Sequence, residues 1–177
     1  MSQPYTGQPF RLDDGRWENR VRAGNNKIVL GSHNQTYENE IDALAVLVHL
    51  LHGGPHVIRR PNEAFARGTI GAWMKRRNWP RRTRPYVGTW YRRDSDGRWE
   101  ARVIAQNPTK DIVFTSVVQG YENERDVIII LEKTMLHGPH VVKNGAGETI
   151  PLGSERPTRR QLRKAVAKSA PASGGTL

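Results

Sequence analysis

The chain repeats itself. Asp14-Gly15-Arg16-Trp17-Glu18-Asn19-Arg20-Val21 returns as Asp96-Gly97-Arg98-Trp99-Glu100-Ala101-Arg102-Val103. Tyr37-Glu38-Asn39-Glu40 returns as Tyr121-Glu122-Asn123-Glu124, and Gly54-Pro55-His56-Val57 as Gly138-Pro139-His140-Val141. A repeat of this length constrains the fold more than any other feature: one small unit occurs twice, and the intervening residues join the copies. Each copy also checks the reading of the other.

Within a copy the pattern after Gly15 alternates. Trp17, Asn19, Val21 and Ala23 fall on one side and Glu18, Arg20 and Arg22 on the other, the signature of a half-buried antiparallel strand. Asn25-Asn26 is a hairpin signal, and Lys27-Ile28-Val29-Leu30 reads as the returning strand. In the second copy the hairpin Asn107-Pro108-Thr109-Lys110-Asp111 is two residues longer, before Ile112-Val113-Phe114. Phe10-Arg11-Leu12 and Trp90-Tyr91-Arg92-Arg93 supply a preceding strand. A helix follows, with Thr36 or Asn34 as its cap, Glu38, Glu40 and Asp42 at the positive end of the dipole, and Ile41, Leu44, Leu47, Val48 and Leu51 at helical spacing. Val127-Ile128-Ile129-Ile130-Leu131 alone would read as a strand; its match to Ala43-Leu44-Ala45-Val46-Leu47 makes it helical. Gly53-Gly54-Pro55 and Gly138-Pro139 stop the helices.

The expected fold is α+β: two tandem repeats, each a three-stranded antiparallel sheet with one helix packed on it. The first repeat spans 4–58 and the second 86–150. They are joined by a basic, partly helical linker at 59–85 and followed by a basic tail at 151–177. About 55 residues is marginal but workable for a unit without disulfides, and the chain has no cysteine. Disulfides and cysteine zinc sites are thereby excluded, and a cytoplasmic location is permitted. The apolar stretch from Ala43 to Leu51 is too short to span a bilayer, and Met1-Ser2-Gln3-Pro4 has no signal core.

The net charge is +11, which directs the chain toward a polyanion: DNA, RNA or an acidic protein. The excess lies outside the repeats. Residues 59–93 hold eleven cations against Glu63 alone, and 150–177 hold six against Glu155, whereas 1–58 and 94–149 carry net −1 and −3. In the linker, Lys75, Arg76, Arg77, Arg81, Arg82 and Arg84 are candidate phosphate contacts; in the tail, Arg159, Arg160 and Arg163. Trp73 and Trp79 lie among these cations. They read either as base-stacking residues or as anchors docking the segment on a repeat. Pro80-Arg81-Arg82-Thr83-Arg84-Pro85 is extended. Thr158 caps a short tail helix through Lys168, expected to be disordered until bound.

The order and spacing of several motifs resemble the ethylene-response-factor (Apetala-type) DNA-binding domain. In the second copy these are Tyr86-x-Gly88, Arg92-Arg93, Gly97-Arg98-Trp99-x-Ala101-x-Val103, Ile112-Val113-Phe114-Thr115 and Leu136-His137-Gly138-Pro139-x-x-Val142-x-Asn144. In the first they are Tyr5-x-Gly7, Gly15-Arg16-Trp17, Val29-Leu30-Gly31-Ser32 and Leu51-His52-Gly53. That family, like the arm-binding domains of phage-type integrases, lays a three-stranded sheet in the DNA major groove. The resemblance implies that Arg11, Arg20, Arg22 and Lys27, and Arg92, Arg93, Arg102 and Lys110, face DNA, where arginine can bind guanine with two hydrogen bonds. A second resemblance, through Trp17-x-x-Arg20-x-x-Ala23-x-Asn25, Ile28-Val29-x-x-Ser32 and Tyr37, is to the small bacterial YegP-like domains. It implies two similar units paired into one sheet as an interaction scaffold.

Other chemistry is sparse. His52, His56, His137 and His140 read either as a shared metal site or as helix-end histidines meeting terminal carbonyls. Glu18, Glu100, Glu38 and Glu122 read as solvated strand and helix-start charges. Trp17 and Trp99 read as core beneath the helix. No nucleophile elbow, phosphate loop or His-Asn-His pattern is present. The sequence therefore points to a non-enzymatic protein with no cofactor and no metal, binding double-stranded DNA through two tethered modules in a bacterial or phage-infected cell. RNA binding and protein interaction are the alternatives.

Overall fold

The computed structural model describes residues 3–32, 35–52, 56–58, 85–106, 109–116, 120–137, 140–153 and 157–169. The first repeat forms β1 (Thr6–Arg11), β2 (Trp17–Arg22), β3 (Ile28–Gly31), α1 (Glu40–Leu51) and β4 (Val57–Ile58). The second forms β5 (Val87–Arg92), β6 (Trp99–Ile104), β7 (Ile112–Ser116), α2 (Glu124–Leu136) and β8 (Val141–Lys143). Two further elements follow, β9 (Thr149–Ile150) and α3 (Arg159–Ser169).

The second and third strands and the helix of each repeat match the local reading; the first strands start earlier than expected, at Thr6 and Val87, β4 and β8 are additions to it, and the assembly differs from two separate three-stranded sheets. One nine-stranded sheet runs in the order β4-β5-β6-β7-β3-β2-β1-β8-β9. An isolated three-stranded sheet leaves two edges of unpaired backbone groups, and here both edges are used. β3 pairs antiparallel with β7, Leu30 opposite Ser116 and Gly31 opposite Thr115. Each repeat then sends its last strand to the other: β4 lies parallel to β5 and β8 parallel to β1. The order is symmetric about the β3–β7 junction except for β9, which extends one side. This is the one-sheet pairing that the YegP-like resemblance implies.

The repeated motifs explain the exchange. The Tyr5 N–H donates to His140 Nδ1 at 3.1 Å, and the Tyr86 N–H donates to His56 Nδ1 at 2.9 Å. Each ring stacks on the tyrosine it serves, with centroids 5.5 Å apart in both pairs. The opposite ring nitrogens face last-turn carbonyls, His140 Nε2 at 2.8 Å from Lys133 O and His56 Nε2 at 2.9 Å from His49 O. A carbonyl only accepts, so the proton sits on Nε2 and Nδ1 is left to accept. Both histidines thus meet helix-end carbonyls while bolting a crossing strand to the other repeat. His52 Nε2 lies 2.9 Å from Gly153 O, and no metal-binding cluster occurs among the described residues.

The helices share one face of the sheet and cover one core, in which Leu30, Leu44, Leu47, Leu51, Phe114, Leu131 and Met135 are fully buried. Gly7 and Gly88 admit the helices: a Cβ on Gly7 would lie 2.4 Å from Leu51 Cδ1, and one on Gly88 2.5 Å from Met135 Sδ. Trp99 packs partly buried against the core, whereas Trp17 lies against Gly145, where an added Cβ would come within 2.8 Å of its ring. Both tryptophans pair their backbones with the tyrosine before the helix, Trp17 with Tyr37 and Trp99 with Tyr121. That bridge delays the helix start. The cap is therefore Asn39, whose side chain accepts from the Asp42 N–H at 2.9 Å, and not Thr36; Asn34 lies outside the described residues.

The tail also departs from expectation, because α3 packs against α1 instead of waiting for a partner. Leu162 is 1% exposed, Ala165 and Val166 are partly buried, and Arg159 pairs with Asp42 at 2.6 Å. Three apolar residues at one helical spacing suffice because α1 offers an apolar seat. Thr158 caps the helix as expected, in a reciprocal box with Gln161 (Thr158 N–H to Oε1, 2.8 Å; Gln161 N–H to Oγ1, 3.3 Å). Among the described residues no helix is long and apolar enough to cross a membrane.

Candidate nucleic-acid interface

The face of the sheet away from the helices carries the charged side chains. Register sets one row across it, Gln8, Arg20, Gly31, Thr115, Arg102 and Thr89, running from β1 to β5. Arg20 and Arg102 are three strand spacings apart in this row, about 14 Å. Each arginine lies over an aromatic ring of the neighbouring strand. The Arg20 and Arg22 guanidinium carbons are 4.7 and 5.6 Å from the Phe10 centroid, and that of Arg102 is 3.9 Å from Tyr91.

Each pair also has a carboxylate. Arg20 Nε donates to Glu18 Oε1 at 3.0 Å. Glu100 sits between Arg102 at 3.7 Å and Arg93 at 3.8 Å. Arg93 also grips Asp96, and Arg93 holds that carboxyl below its ordinary range. Burial raises the Tyr91 hydroxyl, helped by a hydrogen bond to Glu100. Arg102 Nε is buried without a hydrogen-bond acceptor.

Of the expected site residues, the structure brings Arg20, Arg22, Arg93 and Arg102 to this face. Arg11 and Arg92 end their strands on the opposite parity, and Arg92 Nε donates to Gly97 O in the adjoining turn at 2.8 Å. Lys27 and Lys110 sit at hairpin tips, with Lys110 Nζ 3.0 Å from Gln106 Oε1. Arg160 and Arg163 are exposed on α3, while Arg159 is paired with Asp42. Lys75, Arg76, Arg77, Arg81, Arg82 and Arg84, with Trp73 and Trp79, lie outside the described residues. Sequence reasoning missed the roles of Phe10 and Tyr91 as platforms and of Glu18 and Glu100 as counter-charges. The platforms depend on the β1–β2 and β5–β6 registers, in which Phe10 faces Glu18 and Tyr91 faces Glu100, whereas Glu18–Arg20 and Glu100–Arg102 are neighbours two apart on one strand, a pairing that alternation alone implies.

Merging the repeats also changes how the face can meet a duplex. Nine strands at about 4.8 Å each span roughly 38 Å, against a major groove about 12 Å wide. A three-stranded sheet can enter a groove face-on; this one is three times too wide to do so.

No protein-family description and no curated protein matches the chain. Two solved structures are similar to it. The Escherichia coli protein of unknown function yegP has 12% identity and a TM-score of 0.46, over 81% of this chain and 95% of that one. A UPF0339 protein of Shewanella oneidensis has 13% identity and a TM-score of 0.46, over 81% of this chain and 92% of that one.

Proposed function

We propose that the protein is a non-enzymatic binder of double-stranded DNA that grips phosphates, with the paired repeats as a rigid platform and the basic linker and tail as the source of attraction. The observation that carries this reading is the placement of charge. The arginines of the sheet face have carboxylate neighbours in Glu18 and Glu100, whereas 59–84 hold nine cations against one anion and 150–177 six against one. Phosphate contacts release counterions, so such a protein binds with steep salt dependence and little sequence preference.

The test is an anisotropy titration of the full chain against a random-sequence duplex, a single strand and an RNA duplex at 50 and 200 mM salt. About six phosphate contacts predict a loss of duplex affinity on the order of a thousandfold between those salts. Replacing Arg81, Arg82 and Arg84 together by alanine should weaken all duplex sequences alike and flatten the slope. Tighter binding to RNA than to DNA would move the reading to RNA. An absence of binding to every nucleic acid at 50 mM salt would refute it and leave protein interaction.

A further inference from the structure

The pseudo-symmetry of the fold is broken at one place that water should disfavour. Aligning Asn39-Glu40 with Asn123-Glu124 puts Asp126 in the place of Asp42, Ile129 in that of Ala45, Glu132 in that of Val48 and Leu136 in that of His52. On α1 this side of the helix is covered by α3: Arg159 pairs with Asp42, His52 meets the chain at Gly153, and Val48 is fully buried. On α2, Ile129 and Leu136 are 45% and 48% exposed, the two exposed large apolar side chains among the described residues. They are seven residues apart, so they lie on one stripe. Asp126 and Glu132 border the stripe and are exposed, as is Arg125 one turn before Ile129, and Asp126 has Asn123 at 3.4 Å where Asp42 has an arginine at 2.6 Å.

We propose that this face of α2 is a docking site for an amphipathic helix of a partner protein, one whose apolar stripe is flanked by arginine or lysine. The seat on α1 supplies the template. There the occupant presents an arginine at its first turn to Asp42, then Leu162, Ala165 and Val166 toward the core. On α2 the apolar part of the seat is larger, isoleucine and leucine standing for alanine and histidine, and Glu132 adds an acidic group where α1 has a valine. An amphipathic helix whose basic residues reach Asp126 and Glu132, clear of Arg125, therefore matches it in shape and in charge, in the helix-in-groove mode. This site is separate from the open sheet face and stands whether or not that face meets nucleic acid.

The probe is a labelled peptide with the sequence of residues 157–169, titrated against the full chain. Saturable one-to-one binding is expected. Ile129→Glu and Leu136→Glu should each weaken it at least tenfold, and Asp126→Asn by a smaller factor. The substituted side chains are exposed, so circular dichroism and thermal melting should match the parent protein. Binding that survives both glutamate substitutions would place the peptide elsewhere and overturn the proposal. So would no binding up to millimolar peptide, whether sedimentation shows a monomer, whose own chain then covers the face, or a dimer that Ile129→Glu dissociates.

Discussion

Replacing His140 probes the joint between the repeats. Its Nδ1 accepts the Tyr5 N–H at 3.1 Å and its Nε2 donates to Lys133 O at 2.8 Å, inside a side chain only 6% exposed. His140→Ala leaves one donor and one acceptor buried without partners, at about 1–3 kcal/mol each, so about 2–6 kcal/mol in all. For a chain of this length that lowers the melting temperature by roughly 4–24 °C. His140→Asn is milder, about 1–2 kcal/mol, because Oδ1 falls near the Nδ1 position and only the bond to Lys133 is lost. The two variants also separate in their pH dependence. Burial, then the nearby charges of Lys133 and His137, hold the His140 pKa below its ordinary value. A histidine with a depressed folded pKa favours the native state only when neutral. Its contribution is full above about pH 6.5 and is lost as pH falls through the lower folded value. Urea unfolding at pH 7.5, 6.5 and 5.5 should show wild-type stability declining across this window, above the range where Asp14 and Asp96, both depressed by arginines, begin to protonate. His140→Asn removes the titrating group and should flatten part of that decline. A wild-type pH slope retained in His140→Asn, or a cost for His140→Ala under about 0.5 kcal/mol at pH 7.5, would refute the bolt.

The glycine pair gives a ranked prediction. Gly7→Ala drives a Cβ to 2.4 Å from Leu51 Cδ1 and 2.9 Å from Leu47 Cδ2, both on fully buried leucines, and should cost about 2–3 kcal/mol in urea unfolding. Gly88→Ala meets Met135 Sδ at 2.5 Å, and the flexible thioether should yield, so its cost is expected nearer 1 kcal/mol; the reverse order would contradict the packing argument. Leu162→Ala should weaken α3 docking by about 2–4 kcal/mol, read as faster amide exchange throughout α3, and unchanged exchange there would mean that Leu162 does not anchor the helix.

What the sequence made legible was local. The alternation from Trp17 to Arg22, the hairpin at Asn25-Asn26, both helices and the Thr158–Gln161 cap all follow from residues within a turn or two of one another. What it hid was non-local. The crossing strands are Val57–Ile58 and Val141–Lys143, too short for any periodicity, and the bond that fixes one of them joins Tyr5 to His140. A trace of it was present, since Tyr-x-Gly and Gly-Pro-His-Val both recur, but nothing in either motif says that each serves the other copy. The helix start was misplaced for the same reason: Thr36 looks like a cap until Tyr37 is seen held by Trp17. The arginines of the open face and the glutamates two residues before them share one side by alternation, whereas the aromatic platforms under the arginines, and the Arg93–Glu100 pair, come only from strand register.

The exchange of strands decides how the basic excess can act. Two independent modules on a flexible tether would bind by effective concentration, each weak contact raising the other. The described structure removes that freedom, because the repeats share a core and cannot separate without breaking β3–β7, β4–β5 and β1–β8. Residues 59–84 therefore do not span two bodies. They leave β4 at Ile58, which pairs with Gly88, and rejoin the chain at Pro85 just before β5, so both ends are fixed on adjacent strands of one sheet. The nine cations of 59–84, against Glu63 alone, thus fall between two points of the chain that are held on adjacent strands. On the proposed reading, breaking the joint between the repeats should weaken duplex binding as well as stability, and the two histidines that hold the crossing strands are where to break it.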